Sequence, residues 1–208
     1  MTDNATVRDL LDRYGQTFAD QAGITLRDKP APLYQLLVLT TLLSVRITSD
    51  IAVAAARELF RSIGRTPKAM LESDWQQRVD ALGRANYVRY DESTATYLRD
   101  GAELVLDKYR GDLRNMGNDA NYRPAELRKR LREFPRIGDN GAHIFCREVQ
   151  AVWPRLRPYF DDFTIDSAKM LGLPADSGRL AEHVAGDELA VLTAALVRAK
   201  LDKKHRKR

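Results

Sequence analysis

Cysteine is almost missing from this sequence: Cys146 is the only one in 208 residues. That excludes an internal disulfide framework, and any iron–sulfur or multi-cysteine metal site built by these residues alone. A lone thiol reads as a small buried apolar side chain and fits a reducing, cytoplasmic setting. Long apolar runs are missing as well, since no stretch approaches the roughly 18 residues of a membrane span. The opening "MTDNATVRDLLDRYG" is acidic and helically spaced, without the basic-then-apolar layout of a signal peptide. Strand-like alternation is absent, and so is any internal repeat.

What the sequence does contain is helical periodicity. The hydrophobic share of 44% and charged share of 30% are ordinary for a globular chain. "PLYQLLVLTTLLS" is apolar all round, which marks a helix buried on most sides. "SDIAVAAARELFRSIG" follows, with Ser49 or Asp50 as its expected cap and Gly64 at its end. "TPKAML", "DWQQRVDALGRANY" and "YDESTATYLRDGAELVLDKYRG" predict three more helices, and the polar "LRNMGNDANYR" predicts a loop. "PAELRKRLREF", "GAHIFCREVQAVW", "TIDSAKMLGL", "DSGRLAEHVAG" and "DELAVLTAALVRAKL" complete the set. The expected architecture is all-α, with about ten helices.

The formal net charge is +5, but its distribution says more than its sum. The ending "LDKKHRKR" sets Lys203, Lys204, Arg206, Lys207 and Arg208 against Asp202, a net of +4. Such a run fits a solvated tail or a nucleic-acid contact. Between Arg128 and Arg157, eight basic residues (Arg128, Lys129, Arg130, Arg132, Arg136, Arg147, Arg155, Arg157) face three acidic ones, a net of +5. The rest of the chain is therefore acidic. Positive charge is concentrated on one segment, as phosphate binding requires.

That segment contains "LREFPRIGDNGAHIF". Pro135 disfavours helix in the residue before it, so one helix ends near Phe134. Gly138 permits a left-handed turn, and Asp139 or Asn140 can cap a second helix. The N–H groups at that new helix start face outward and form a ready anion site. An ordinary helix–helix turn would also read this way.

The text resembles the endonuclease III-like superfamily of helix-hairpin-helix DNA glycosylases, whose hairpin is approximately L-P-G-V-G-R-K-T-A. "FPRIGDNGA" aligns without a gap, with Phe134, Pro135, Ile137, Gly138 and Ala142 matching in character. Downstream, "IDSA" resembles the family's V-D-T-H and puts Asp166 on the aspartate. Upstream, "LLSVRITSD" resembles L-L-S-A-Q-A-T-D, with Ser44 on the serine, Arg46 on the glutamine and Thr48 on the threonine. "TPKAML" and "LGRANYVRY" also fall where the family has similar text, so the resemblance runs from Leu33 to Leu173.

The resemblance implies a two-lobed all-α fold with a central cleft: a helical barrel lobe over 32–150, ending in the hairpin, and a second lobe from 1–31 plus 151–208. It implies a protein that binds double-stranded DNA, flips a damaged or mismatched base and excises it in base excision repair. Arg136, Ile137, Gly138 and Gly141 would hold the DNA, and Arg46 would fill the hole left by the flipped base. Asp166 would be the catalytic carboxylate. The family's lysine position is Asn140, and an amide cannot form a Schiff base. Base removal without strand cleavage is therefore expected, with Asn140 free to hydrogen-bond base or water. Lys169, one helical turn past Asp166, is either an ion-pair partner or a substitute amine.

No cofactor is expected: the family's four-cysteine iron–sulfur site is absent, while a monovalent cation at the hairpin carbonyls is compatible with the resemblance. A monomer in the bacterial cytoplasm or nucleoid, without membrane contact, completes the expectation. The departures also fit a catalytically inactive DNA-binding protein that recognises damaged or distorted duplex. These are Asn140, Arg136 for the first hairpin glycine, Asp139 for a basic residue and Ala168 for a histidine. Tyr87, Tyr90, Tyr122 and Trp153 suit either core or a base pocket. His143 is expected at the surface or as a cap. Asp161 and Asp162 are expected solvated, or paired with Arg155 or Arg157.

Overall fold

The computed structural model describes residues 3–205, and every regular element among them is helical. In chain order the helices are α1 (Asp3–Tyr14), α2 (Phe18–Gln21), α3 (Pro30–Leu43), α4 (Ser49–Ser62) and α5 (Pro67–Glu72). Then come α6 (Trp75–Arg84), α7 (Asp91–Tyr109), α8 (Leu113–Asp119), α9 (Pro124–Leu131) and α10 (Asp139–Val149). α11 (Asp162–Met170), α12 (Ser177–Ala181) and α13 (Leu189–His205) close the chain. No described helix is long and apolar enough to cross a membrane. Arg206, Lys207 and Arg208 of the basic tail lie outside the described residues.

By internal packing the chain divides into two compact units, Met1–Phe18 with Cys146–Arg208, and Ala19–Phe145. The division expected from sequence sets its boundaries at 31/32 and 150/151.

The larger unit is built around α3. Residues Leu33 to Leu42 are all buried, as an all-round apolar helix requires. α4 brings Ala52, Ala55 and Ala56, each fully buried and small enough for close approach. Its cap position is Thr48, ahead of the expected Ser49 or Asp50, and no side-chain cap bond is made. α6 starts with a reciprocal capping box between Asp74 and Gln77. Arg78 on α6 is 2% exposed. Its guanidinium donates to the carbonyls of Ser73 (2.6 Å), Ala95 (2.9 Å) and Met70 (3.3 Å). It also donates to the Ser73 hydroxyl at 3.0 Å; this buried cation ties three helices together, and burial pulls its pKa below the usual arginine value.

α8 corrects the sequence reading, which expected a loop there. Asp112 caps it by accepting from the Arg114 N–H at 2.9 Å, and Leu113 and Met116 are fully buried. Two apolar side chains one turn apart suffice to dock a short helix whose other residues are polar.

The smaller unit packs Val7 and Leu10 of α1 against Ala168, Leu180, Leu192, Ala195 and Leu196. The Tyr14 hydroxyl donates to Asp202 at 2.8 Å, and the Ser167 hydroxyl to the Leu196 carbonyl at 2.5 Å.

Candidate nucleic-acid interface and candidate carboxylates

The hairpin is a tight turn nailed down on both sides. The Phe134 N–H donates to the Leu131 carbonyl and the Ile137 N–H to the Phe134 carbonyl, both at 3.1 Å. Phe134 and Ile137 are 2% and 3% exposed, and the Phe134 ring stacks on Tyr109 with centroids 6.2 Å apart. Between these anchors the chain turns left-handed at Arg136, with φ 68°, and not at Gly138 as expected. Arg136 stands where the resembled hairpin has its first glycine. An L-residue there stores about 1–2 kcal/mol, held in place by its buried neighbours. Arg136→Gly should therefore raise stability by about 0.5–1 kcal/mol after allowing for the looser unfolded chain. Thermal denaturation reads this, and a lower melting temperature would show instead that the arginine side chain anchors the turn.

Gly138 is exposed, and a Cβ there would meet nothing within 4 Å. The first α10 N–H to find a backbone acceptor is that of Ala142, bonded to Gly138 at 2.9 Å. The N–H groups of Asp139, Asn140 and Gly141 thus lack one, which leaves the positive end of the helix open to an anion. Asn140 is exposed in this first turn.

Gly141 faces inward. A Cβ on it would overlap Ser44 Oγ and come within 3.1 Å of Ile137 Cγ2. The close approach sets the α3–α4 turn, with Ser44 and the exposed Arg46, against the hairpin. Two of the three sequence anchors are therefore brought together, in one unit. Of the residues proposed to hold DNA, Arg46, Arg136 and Gly138 face solvent, while Ile137 and Gly141 are buried and shape the turn.

The aromatic candidates divide in the same way. Tyr87 is fully buried and donates to the Leu42 carbonyl at 3.2 Å. Burial pushes its pKa up to about 12, offset in part by a Thr94 hydrogen bond and the positive charge of Arg136. Trp153, 1% exposed, is also core. Tyr90 is half-exposed, with the Arg89 guanidinium 5.3 Å from its ring centre. Tyr122, also half-exposed, donates to Asn118 at 3.0 Å.

The basic segment resolves into separate tasks. Arg157 donates to the Gln150 and Ala151 carbonyls, at 2.6 and 2.5 Å, just past the end of α10, where a cation complements the dipole. Arg130 donates to the Asp119 carbonyl at 3.0 Å. Arg128 Nη1 lies 3.2 Å from His143 Nε2. A guanidinium only donates, so this contact requires Nε2 to be the accepting nitrogen. Arg132 pairs with Asp139 at 2.8 Å across the hairpin turn. Lys129, Arg132, Arg136 and Arg155 are the members exposed to solvent.

Two carboxylates stand out in the smaller unit. Asp166 lies within α11, its side chain 58% exposed, between Lys169 Nζ at 3.7 Å and Lys200 Nζ at 3.4 Å. Lys200 also spans the Phe163 ring, 4.2 Å from its centre. Lys169 is thus an exposed ion-pair partner. Asp161 is the opposite case. It caps α11, accepting from the Thr164 N–H (3.3 Å) and hydroxyl (2.9 Å). Arg147, 9% exposed in its side chain against 5% for Asp161, faces it at 3.4 Å. This corrects the expectation of a solvated residue paired with Arg155 or Arg157. The D-x-x-T spacing of a helix cap is present in "DDFT".

No group of three or more His, Cys, Asp or Glu among the described residues is placed to hold a metal. The single cysteine, Cys146, is fully buried, so these residues do not fit a four-thiolate cluster.

Neither a protein-family model nor a curated protein matches the sequence. Solved structures do. One similar structure is a trapped endonuclease III–DNA covalent intermediate, with 16% identity over 95% of this chain and 85% of that one, at a TM-score of 0.50. Another is the H. pylori 3-methyladenine DNA glycosylase MagIII bound to 1,N6-ethenoadenine, with 11% identity, 98% and 99% coverage and a TM-score of 0.56. The chain has the all-α fold of the endonuclease III-like helix-hairpin-helix DNA glycosylases.

Proposed function

We propose that this protein binds duplex DNA through its hairpin and removes a damaged or mismatched base by hydrolysis. The observation that carries the reading is the open N-terminus of α10, exposed at Gly138 to Asn140 and flanked by Arg136 and, from the adjoining turn, Arg46. Backbone N–H groups and arginines are what position a phosphate chain.

In the reaction, the bond between the sugar C1′ and the base nitrogen breaks, water adds to C1′, and a proton goes to the departing base. A carboxylate stabilises the sugar cation that forms on the way. Asp166 is the carboxylate to which the text resemblance points, and Asp161 is a second that geometry adds. We favour Asp161, which is shielded from water and held by the Thr164 cap, over Asp166, which is solvated and neutralised by two lysines. Asn140 offers no amine, so the product is an abasic site in an uncut strand.

A non-catalytic reading also has support, because Asp161 already faces Arg147 and Asp166 already faces Lys169 and Lys200. Short duplexes each carrying one modified or mismatched base, split and analysed with and without alkali, separate the possibilities. Cleavage only after alkali is the expected result. Cleavage without alkali, trapped by borohydride and lost in Lys169→Ala, would transfer the chemistry to that lysine. Binding without any product would leave the non-catalytic reading standing.

A further inference from the structure

The hairpin has a charge device of its own. Asp139 is the first residue of α10, at the helix end where a phosphate would be attracted, and its carboxylate is held at 2.8 Å by Arg132 from the other side of the turn. Both side chains are open to solvent, 47% for Arg132 and 66% for Asp139. An exposed pair of this kind contributes little to stability, about 0–1 kcal/mol, so its partners exchange readily. Asp139 also belongs to the first turn of α10, where its negative charge adds to the field that a phosphate approaching the open N–H groups would meet.

We infer that Asp139 is an internal competitor for the DNA backbone: it occupies Arg132, beside the start of α10, until a phosphate displaces it. This rests on the DNA-binding reading above. The consequence is a hairpin that grips undamaged duplex weakly. Passing contacts with intact DNA stay short, and retention depends on whatever further contacts a lesion provides. Arg136, which faces solvent, remains available for the first encounter.

The test is binding of an end-labelled, undamaged duplex by the full chain, titrated across a range of salt concentrations. Asp139→Asn removes the competitor while keeping a polar side chain at the helix start. It should steepen the dependence of log affinity on log salt by about 0.9 for the one additional cation set free, and so lose about threefold more affinity between about 50 and about 200 mM salt. At the lower salt it should bind several-fold more tightly than the wild type. Arg132→Gln should cost little in the wild type, where the arginine is already occupied, but should erase most of the gain in the Asp139→Asn background.

That coupling separates the pair from a general change in net charge, which would leave the two substitutions additive. Retained binding with an unchanged slope, or additive effects, overturns the competitor role alone. Failure of folded wild type and Asp139→Asn alike to bind any duplex overturns the role of Asp139 and the DNA-binding reading together.

Discussion

Asp161→Asn should slow single-turnover base excision by about 10²–10³-fold, the range seen when one preorganised electrostatic contact to a transition state is lost. Asp166→Asn should stay within a few-fold of the wild type. The contrast follows from surroundings rather than residue type. A carboxylate can stabilise a developing sugar cation only if water does not already screen it and its orientation is fixed. Asp161 meets both conditions through burial and the Thr164 cap, whereas Asp166 is solvent-facing and shared between Lys169 and Lys200.

Arg147 complicates the experiment, since removing one member of a buried ion pair destabilises by about 3–5 kcal/mol. Thermal melting and duplex binding of Asp161→Asn must therefore accompany the kinetics. A variant that remains folded and bound but inactive supports the assignment. Activity lost in Asp166→Asn but kept in Asp161→Asn returns the role to Asp166. Activity unaffected by either would remove the carboxylate mechanism altogether.

The second large effect is expected at Gly141. Gly141→Ala places a methyl group onto Ser44 Oγ and 3.1 Å from Ile137 Cγ2. Ser44 cannot simply swing away, because its hydroxyl donates to the Thr40 carbonyl at 2.7 Å. Overpacking of this kind costs about 1–3 kcal/mol, or about 2–12 °C in melting temperature for a chain this size. The double variant with Ser44→Ala should recover most of the loss, since only the Ser44 Cβ, at 3.4 Å from the new methyl, would remain nearby. Duplex binding should fall with Gly141→Ala and return with the double variant. A Gly141→Ala protein as stable as the wild type would show that the hairpin does not dock on the α3–α4 turn in this way.

The helices were legible because their signals are local. α3 declares itself by unbroken apolarity, α6 by its capping box, and α9 by Pro124 at its first position. α8 was not legible, because what holds it is the burial of Leu113 and Met116 against other helices, which no window on a polar stretch reveals. The hairpin was located correctly, yet its left-handed residue was assigned to the glycine. Glycine permits such a backbone but does not demand it. The demand came from Phe134 and Ile137 on either side of Arg136.

The carboxylates show the same limit. The D-x-x-T spacing marks Asp161 as a helix cap, but its burial and its Arg147 partner, and the two lysines beside Asp166, are not local signals. The eight basic residues likewise read as one patch, although Arg147 is buried and Arg157 caps a helix. A formal charge counts side chains without saying which are left for a ligand.

The all-round burial of α3 matters before the protein is complete. Its neighbours in the finished unit include α4, α7 and α8, the last ending at Asp119. α3 itself ends at Leu43. On the ribosome, at about 5–20 residues per second, this apolar segment waits several seconds for α8. Nascent chains stalled after α4 should be strongly captured by holdase chaperones, and chains stalled well past α8 should be released from them.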